Sequence, residues 1–344
     1  MVGMFRRISA AVVALALFAS GAAAAAQEFY QGKTLRFVVG FPQRGGYDAY
    51  TRAIAHHMGR HIPGNPSTVV ENMPGAGSLK ATNYLFNEAK PDGLTIGNFS
   101  GALILHQVLG NKTAKYDGRK FGWVGVPVVD HLVCVLTRQS GVTTADQWFA
   151  AKRPIKIGAT GPGTSSGDTP KILKATIGLP VEVVAGYQGT DDIRKAADAG
   201  EIAGGCWGWE SIKATWRKQL DSGSARVVLQ AMTKSRPELK DVPLAVDYAK
   251  SDEARQILEI FTGAYGYTAR PYAVPPGTPA ERLALLRKAF METSKDPAFL
   301  AEARKAGLDL NPIEGETVAR IFVSFYDVKP LLLARLEEIV VPQK

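Results

Sequence analysis

Residues 35–48 read LRFVVGFPQRGGYD, and residues 155–168 read IKIGATGPGTSSGD. Each begins with a short apolar, β-rich run and breaks into a polar, glycine-rich loop. Helical patterns follow, over Ala49–Arg60 in one case and Lys171–Ile177 in the other. The first series continues with a strand pattern over Thr68–Glu71, a helix over Ser78–Ala89 and a strand over Leu94–Asn98. The second continues with a strand over Val181–Ala185, a helix over Asp191–Ala199 and a strand over Ile202–Trp207. Strands separated by helices of this length form βαβ units and parallel sheets. The second series repeats the first in architecture and not in sequence, which predicts two α/β lobes.

Two apolar stretches, Trp123–Thr137 and Tyr265–Pro275, stand where the chain would cross from one lobe to the other and back. Helical patterns then cover Ala280–Thr293, Pro297–Ala306, Gly315–Val323 and Val328–Ile339, so the chain is expected to finish on the first lobe. This division gives lobe one residues 27–130 plus 253–344 and lobe two residues 131–252.

The chain has 344 residues, 46% hydrophobic and 21% charged, enough apolar material for two modest cores. Its net charge of +9 comes from scattered basic residues with no run of five, which argues against a nucleic-acid footprint. Residues 1–26 read as a secretory leader. Arg6 and Arg7 give the positive start, Ile8–Ala19 the apolar run, and Ala24-Ala25-Ala26 the small residues before cleavage. Arg6-Arg7 also permits a twin-arginine route. Losing these two arginines takes the charge from +9 to +7. The mature chain is then exported, and Cys134 and Cys206 meet an oxidising compartment. They either form a disulfide or remain two buried thiols in strand-like runs.

The loop Phe41-Pro42-Gln43-Arg44-Gly45-Gly46-Tyr47-Asp48 opens a helix, with Asp48 as its expected N-cap. Helix-start N–H groups make an anion site, and Arg44 would add a fork suited to a carboxylate. In the second loop Thr164, Ser165 and Ser166 offer hydroxyls, with Thr169 as the expected cap and Pro170 at the first helical position. Such loops lie outside the carboxyl ends of strands, where open α/β sheets bind ligands. Gly163-Thr164-Ser165-Ser166-Gly167 also matches the nucleophile elbow of serine hydrolases. All five histidines precede Ser165, however, whereas that enzyme order needs one after it. His56, His57 and His61 read as surface residues, and no metal or cofactor is expected. Tyr187 begins a third polar loop. Trp207 and Trp209 would wall a pocket or pack in the core, and Glu210 would meet a cation or cap a helix.

Six ordered segments together resemble the extracytoplasmic receptors of tripartite tricarboxylate transporters, the Bug-type solute-binding proteins. They are Phe41-Pro42 with Gly45-Gly46 and Asp48; Val70-Glu71-Asn72-Met73-Pro74-Gly75-Ala76-Gly77; Lys90-Pro91-Asp92-Gly93-Leu94-Thr95; Gly186-Tyr187-Gln188-Gly189-Thr190; Leu239-Lys240-Asp241-Val242-Pro243; and Pro276-Gly277-Thr278-Pro279. The resemblance implies a two-lobe periplasmic-binding-protein fold of the Venus-flytrap type II class, with two crossover strands at the hinge. It implies a monomeric periplasmic receptor that binds a small carboxylate, hands it to membrane permease subunits and is not an enzyme. It maps one carboxylate onto Phe41 to Asp48, the other end onto Thr164 to Ser166, and part of the wall onto Ser100 and Gly101. A ligand-sensing module for a signalling partner would use the same fold. Where the family reads P-P-G-G, this chain has Pro42-Gln43-Arg44-Gly45-Gly46. Trp207-Gly208-Trp209-Glu210 and Arg270-Pro271-Tyr272 also depart from it. Arg44 or Arg270 is therefore expected to pair a carboxylate, with Trp209 and Glu210 meeting an aromatic or amino portion.

Overall fold

The computed structural model describes residues 28–341, so the leader expected over residues 1–26 lies outside the described residues. Among those described, no helix is long and apolar enough to cross a membrane. The first series forms β1 (Thr34–Val39), α1 (Gly46–Met58), β2 (Ser67–Asn72), α2 (Leu79–Asn87), β3 (Thr95–Asn98), α3 (Ala102–Val108) and β4 (Gly122–Val126). Residues 127–131 then lead into the second series. It comprises β5 (Leu132–Thr137), α4 (Ala145–Phe149), β6 (Ile155–Ala159), α5 (Ser165–Ile177), β7 (Val181–Ala185), α6 (Thr190–Asp198), β8 (Gly204–Gly208), α7 (Trp209–Thr215), α8 (Arg217–Asp221) and β9 (Ala225–Gln230). The chain continues as α9 (Asp252–Thr268), β10 (Tyr272–Val274), α10 (Ala280–Thr293), α11 (Pro297–Lys305), β11 (Ile313–Glu314), α12 (Gly315–Ser324) and α13 (Pro330–Val340).

Six strands form the first sheet in the order β11-β4-β10-β3-β1-β2. β2, β1 and β3 are parallel, as their intervening helices require. β10 is antiparallel to both β3 and β4, because it re-enters from the other lobe. In the second lobe β6 and β7 are parallel, but β5 is antiparallel to both β8 and β9. The sheets are therefore mixed, not purely parallel. The exceptions are crossover strands or pair with one, since a strand arriving from the other lobe runs against the local βαβ direction.

Alternation within the strands builds the cores. Leu35 and Phe37 of β1 enter a cluster with Tyr50, Ile54, Met58, Tyr272 and Phe290. β5 is buried on both faces. Leu132, Cys134 and Leu136 join one cluster, while Val133 and Val135 join another with Ile193, Trp207 and Trp216. Cys134 and Cys206 are bonded across the β5–β8 pair, where they stand directly opposite. The first of these clusters also takes Phe99 and Trp123 from lobe one, Ile157 and Ile172 from lobe two, and Phe261 from α9. The lobes thus share apolar packing. α13 also reaches lobe two, where Lys171 Nζ donates to the Val340 carbonyl at 3.3 Å.

Three local readings change. α1 starts at Gly46, and Gly45 in an extended conformation is its N-cap, not Asp48. Asp48 lies in the first turn and accepts from the Arg44 backbone N–H at 3.1 Å. α5 starts at Ser165, six residues before the expected start. Its N-cap is Thr164, whose hydroxyl accepts from the Gly167 N–H at 3.1 Å, so Thr169 and Pro170 lie inside the helix. In the second crossover Tyr265 belongs to α9, and only Tyr272–Val274 is strand.

Candidate functional site

The loops that follow β1, β6, β7 and β8 converge on one cavity of about 40 Å³, room for about three water-sized groups. From lobe one come Phe41, Pro42, Gln43, Gly45, Gly46 and Tyr47. The lobe-two wall has Thr160, Thr164, Ser165 and Ser166 around the start of α5, and Gly189, Thr190 and Asp191 around the start of α6. Trp207, Gly208 and Ser211 come from β8 and α7, and Asp130 and Arg270 from the two crossovers. First-turn residues of α1, α5, α6 and α7 thus share one wall system. Helix starts carry N–H groups without intrahelical partners and the positive end of the dipole, so the cavity favours negative charge.

Gly46 shows how tightly the lobes meet. A Cβ there would stand 2.4 Å from Ser211 Oγ and 3.2 Å from Arg270 Nη1. Other contacts close the rim. Ser100 Oγ donates to the Gly163 carbonyl at 2.7 Å, Arg194 to the Arg44 carbonyl at 3.3 Å, and His106 Nε2 pairs with Asp168 Oδ2 at 2.6 Å.

Arg270 is the cation of the wall, at 1% exposure. One terminal nitrogen pairs with Asp130 Oδ2. Its guanidinium sits 5.5 Å from the Tyr47 ring and 4.6 Å from Tyr50. Burial opposes its charge, but Asp130 beside it prevails and holds its pKa above the usual guanidinium value. Arg270 Nε and Nη1 and Trp207 Nε1 find no hydrogen-bond partner among the described residues. All belong to residues that line the cavity. Buried polar groups are normally satisfied, so three such donors around one space mark a place for a polar guest.

The hydroxyl loop divides its labour. Thr164 is spent on the cap, and Ser166 Oγ joins Thr160 at 2.9 Å. Ser165 makes no side-chain hydrogen bond among the described residues and lies on the wall. No histidine reaches either serine. His106 pairs with Asp168, His131 with Gln230, His56 and His57 with Glu302, and His61 with Asp296. The nucleophile-elbow reading therefore lacks its base.

Of the expected site residues, Phe41, Gln43, Gly45, Gly46, Tyr47, Thr164, Ser165, Ser166, Trp207 and Arg270 line the cavity. Seven others do not. Arg44 has φ 67° and an exposed side chain outside the wall, because the left-handed turn before Gly45 swings it away. Asp48 is spent on Arg52 at 2.9 Å and Asn72 at 2.9 Å. Ser100 braces Gly163, and Gly101 packs on Thr268, whose carbonyl would lie 1.9 Å from a Cβ. Tyr187 packs its ring edge against Gly158. Trp209 donates its indole N–H to Glu238. Glu210 is fully buried, pairs with Arg236 and accepts the His131 N–H at 2.8 Å. Burial first, and Asp130 next, push its pKa up to about 8. Asp130, Thr160, Asp191 and Ser211 line the cavity unforeseen. Thr160 lies inside the second loop already singled out, and Asp191 opens the helix expected after the third. Asp130 sits in an apolar crossover with no motif to mark it.

Among the described residues His56, His57 and Glu302 bring ligand-type atoms together; both histidines lie on α1, whose first turn lines the cavity, and His57, expected at the surface, is buried at 3% exposure. Arg60 donates to His57 Nδ1 at 2.8 Å, which places a cation beside them.

No protein-family profile matches the chain, and no curated protein matches it. Solved structures do. The periplasmic binding protein BugD superposes with a TM-score of 0.71 at 20% identity, covering 92% of this chain and all (100%) of that one. Rpa4515 from R. palustris with adipate gives 0.70 at 19%, over 90% of this chain and 98% of that one. MatC from Rhodopseudomonas palustris with bound malate gives 0.67 at 19%, over 90% and 99%. At these identities the likeness speaks for architecture: the chain has the two-lobe fold of periplasmic binding proteins such as BugD.

Proposed function

We propose that this protein is an exported receptor that captures a small carboxylated molecule reversibly between its lobes and hands it to membrane permease subunits of the tripartite tricarboxylate type. The single observation that carries the reading is Arg270. It is a buried, charged guanidinium with two nitrogens unpartnered, facing a cavity onto which four helix starts converge. A carboxylate at Nη1 gains a charge-assisted hydrogen bond there, and Nε, on the other edge of the guanidinium, is left for a second acceptor. Solved relatives in fold hold adipate and malate, which supports the same ligand chemistry here. The leader-like residues 1–26 and the likeness to periplasmic proteins support export to the periplasm.

Closure needs only a ligand that prefers the closed arrangement, because binding shifts a population by its differential affinity. The serines on the wall bind or cap and have no base to activate them, so the protein is read as a binder and not an enzyme.

A thermal-shift screen of the mature chain against mono-, di- and tricarboxylates and amino acids tests this. A true ligand at 100 times its Kd adds about 2.7 kcal/mol of stability. No stabilisation, together with esterase turnover lost in Ser165→Ala, would transfer the site to the hydrolase reading.

A further inference from the structure

His56 and His57 stand in the last turn of α1, and both turn to Glu302 on α11. His56 Nδ1 lies 2.7 Å and His57 Nε2 2.8 Å from one and the same oxygen, Glu302 Oε2. These three atoms all lie within 4.8 Å of one another. His61, one turn on, faces Asp296 instead, at 2.9 Å. The Phe299 ring meets His57 edge to face at 5.7 Å and packs it into the interior, whereas the side chains of His56 and Glu302 reach solvent.

Two imidazoles and one carboxylate are ligand types of zinc sites that keep a fourth position open. Tetrahedral bonds of about 2.1 Å set ligand atoms about 3.4 Å apart, so the edges of 2.7 and 2.8 Å must open by about 0.7 Å. The solvent-facing His56 and Glu302 are free to yield that much. One group opposes the ion. Arg60 can only donate, so His57 Nδ1 accepts and the His57 proton sits on Nε2, where the metal would bind. Arg60 is 47% exposed and has a second partner in Asp296 at 3.5 Å, so it can withdraw and let that proton move to Nδ1. We propose that His56, His57 and Glu302 form a zinc site, with Arg60 as its competing cation. The ion fastens the last turn of α1 to α11. At about 1.5 Å per residue, His57 lies about 16 Å along the helix from Gly46 in the cavity wall, so the site is separate from the cavity. Imidazole ligands select against Mg²⁺, which takes oxygen.

Calorimetric titration of the untagged mature chain with Zn²⁺ tests this whatever the cavity holds. The wild type should bind one ion saturably, and Zn²⁺ but not Mg²⁺ should raise its Tm. His56→Ala and Glu302→Gln should each weaken binding at least about 10-fold, since a lost ligand costs no less than a lost outer-shell partner. Arg60→Gln should tighten it by about 10-fold, because the rival for His57 is gone. The comparison of Zn²⁺ with Mg²⁺ on the wild type needs no variant, so a misfolded substitution leaves the test intact. No saturable Zn²⁺ binding, or equal stabilisation by Mg²⁺, would overturn the site. Undiminished affinity in a folded His56→Ala or Glu302→Gln would place the zinc elsewhere and overturn it too. Unchanged or weaker binding in Arg60→Gln would overturn the role given to Arg60. None of these results bears on the receptor reading.

Discussion

Asp130 and Arg270 stand on the two segments that cross between the lobes, and their side chains pair at the wall of the cavity. The backbones are tied as well, since the Asp130 N–H donates to the Gly266 carbonyl at 2.9 Å. One ion pair therefore serves both the hinge and the site. A buried pair is costly to break from one side, because the remaining charge is left in a low dielectric.

Arg270→Ala should thus destabilise the fold by about 3–5 kcal/mol. The double substitution Asp130→Ala/Arg270→Ala should cost less than the sum of the two single changes. Urea unfolding of the four proteins checks both statements, and additive losses would show that the pair is not energetically coupled.

Gly46 is needed for space, since its backbone lies against Ser211 and Arg270. Gly46→Ala should cost about 1–3 kcal/mol as an overpacked contact. Ser211→Gly in the same chain should recover part of that loss, whereas Ser211→Gly alone should not stabilise. Thermal unfolding of the three variants reads this directly.

Glu210 makes stability depend on pH. Its folded pKa is pushed up to about 8 by burial and by Asp130, above its ordinary value of 4.5. The native state therefore holds a proton that the unfolded chain has lost, and stability must fall as pH rises through that window. His131, lowered by burial, acts below its ordinary value of 6.5. Between pH 6.5 and 8 the slope should then belong to Glu210. Denaturant midpoints across that range should decline in the wild type and flatten in Glu210→Gln.

The Cys134–Cys206 bond closes a loop of 72 residues between β5 and β8. By the chain-entropy relation, losing it costs about 4 kcal/mol. Cys134→Ala/Cys206→Ala should lower Tm accordingly, with the far-UV spectrum retained. An unchanged Tm would mean that the strand pairing alone fixes this sheet.

Much of the architecture was legible because strand and helix periods differ. Ile155–Ala159 and Val181–Ala185 were read to the residue, each a five-residue run bounded by turn-forming residues. The start of α5 was not, because Ser165-Ser166-Gly167 reads as loop while the Thr164 cap makes it helix. Chain direction after a crossover leaves no mark in composition, so the antiparallel β5 and β10 were missed. In the site, the glycine-rich loops announced themselves, but side-chain direction did not. Arg44 and Arg270 look alike in sequence, and only the left-handed backbone at Arg44 turns it out to solvent. Glu210 follows two tryptophans and a glycine like a pocket residue, yet it lies behind Asp130, paired with Arg236.

The most direct test of the account is calorimetric titration of the mature chain and of Arg270→Gln with the small acid that most raises the Tm of the wild type. The account predicts saturable one-to-one binding in the wild type and a loss of at least about 10-fold in a folded Arg270→Gln, as expected for a charge-assisted bond. Equal affinity in the two proteins would contradict it.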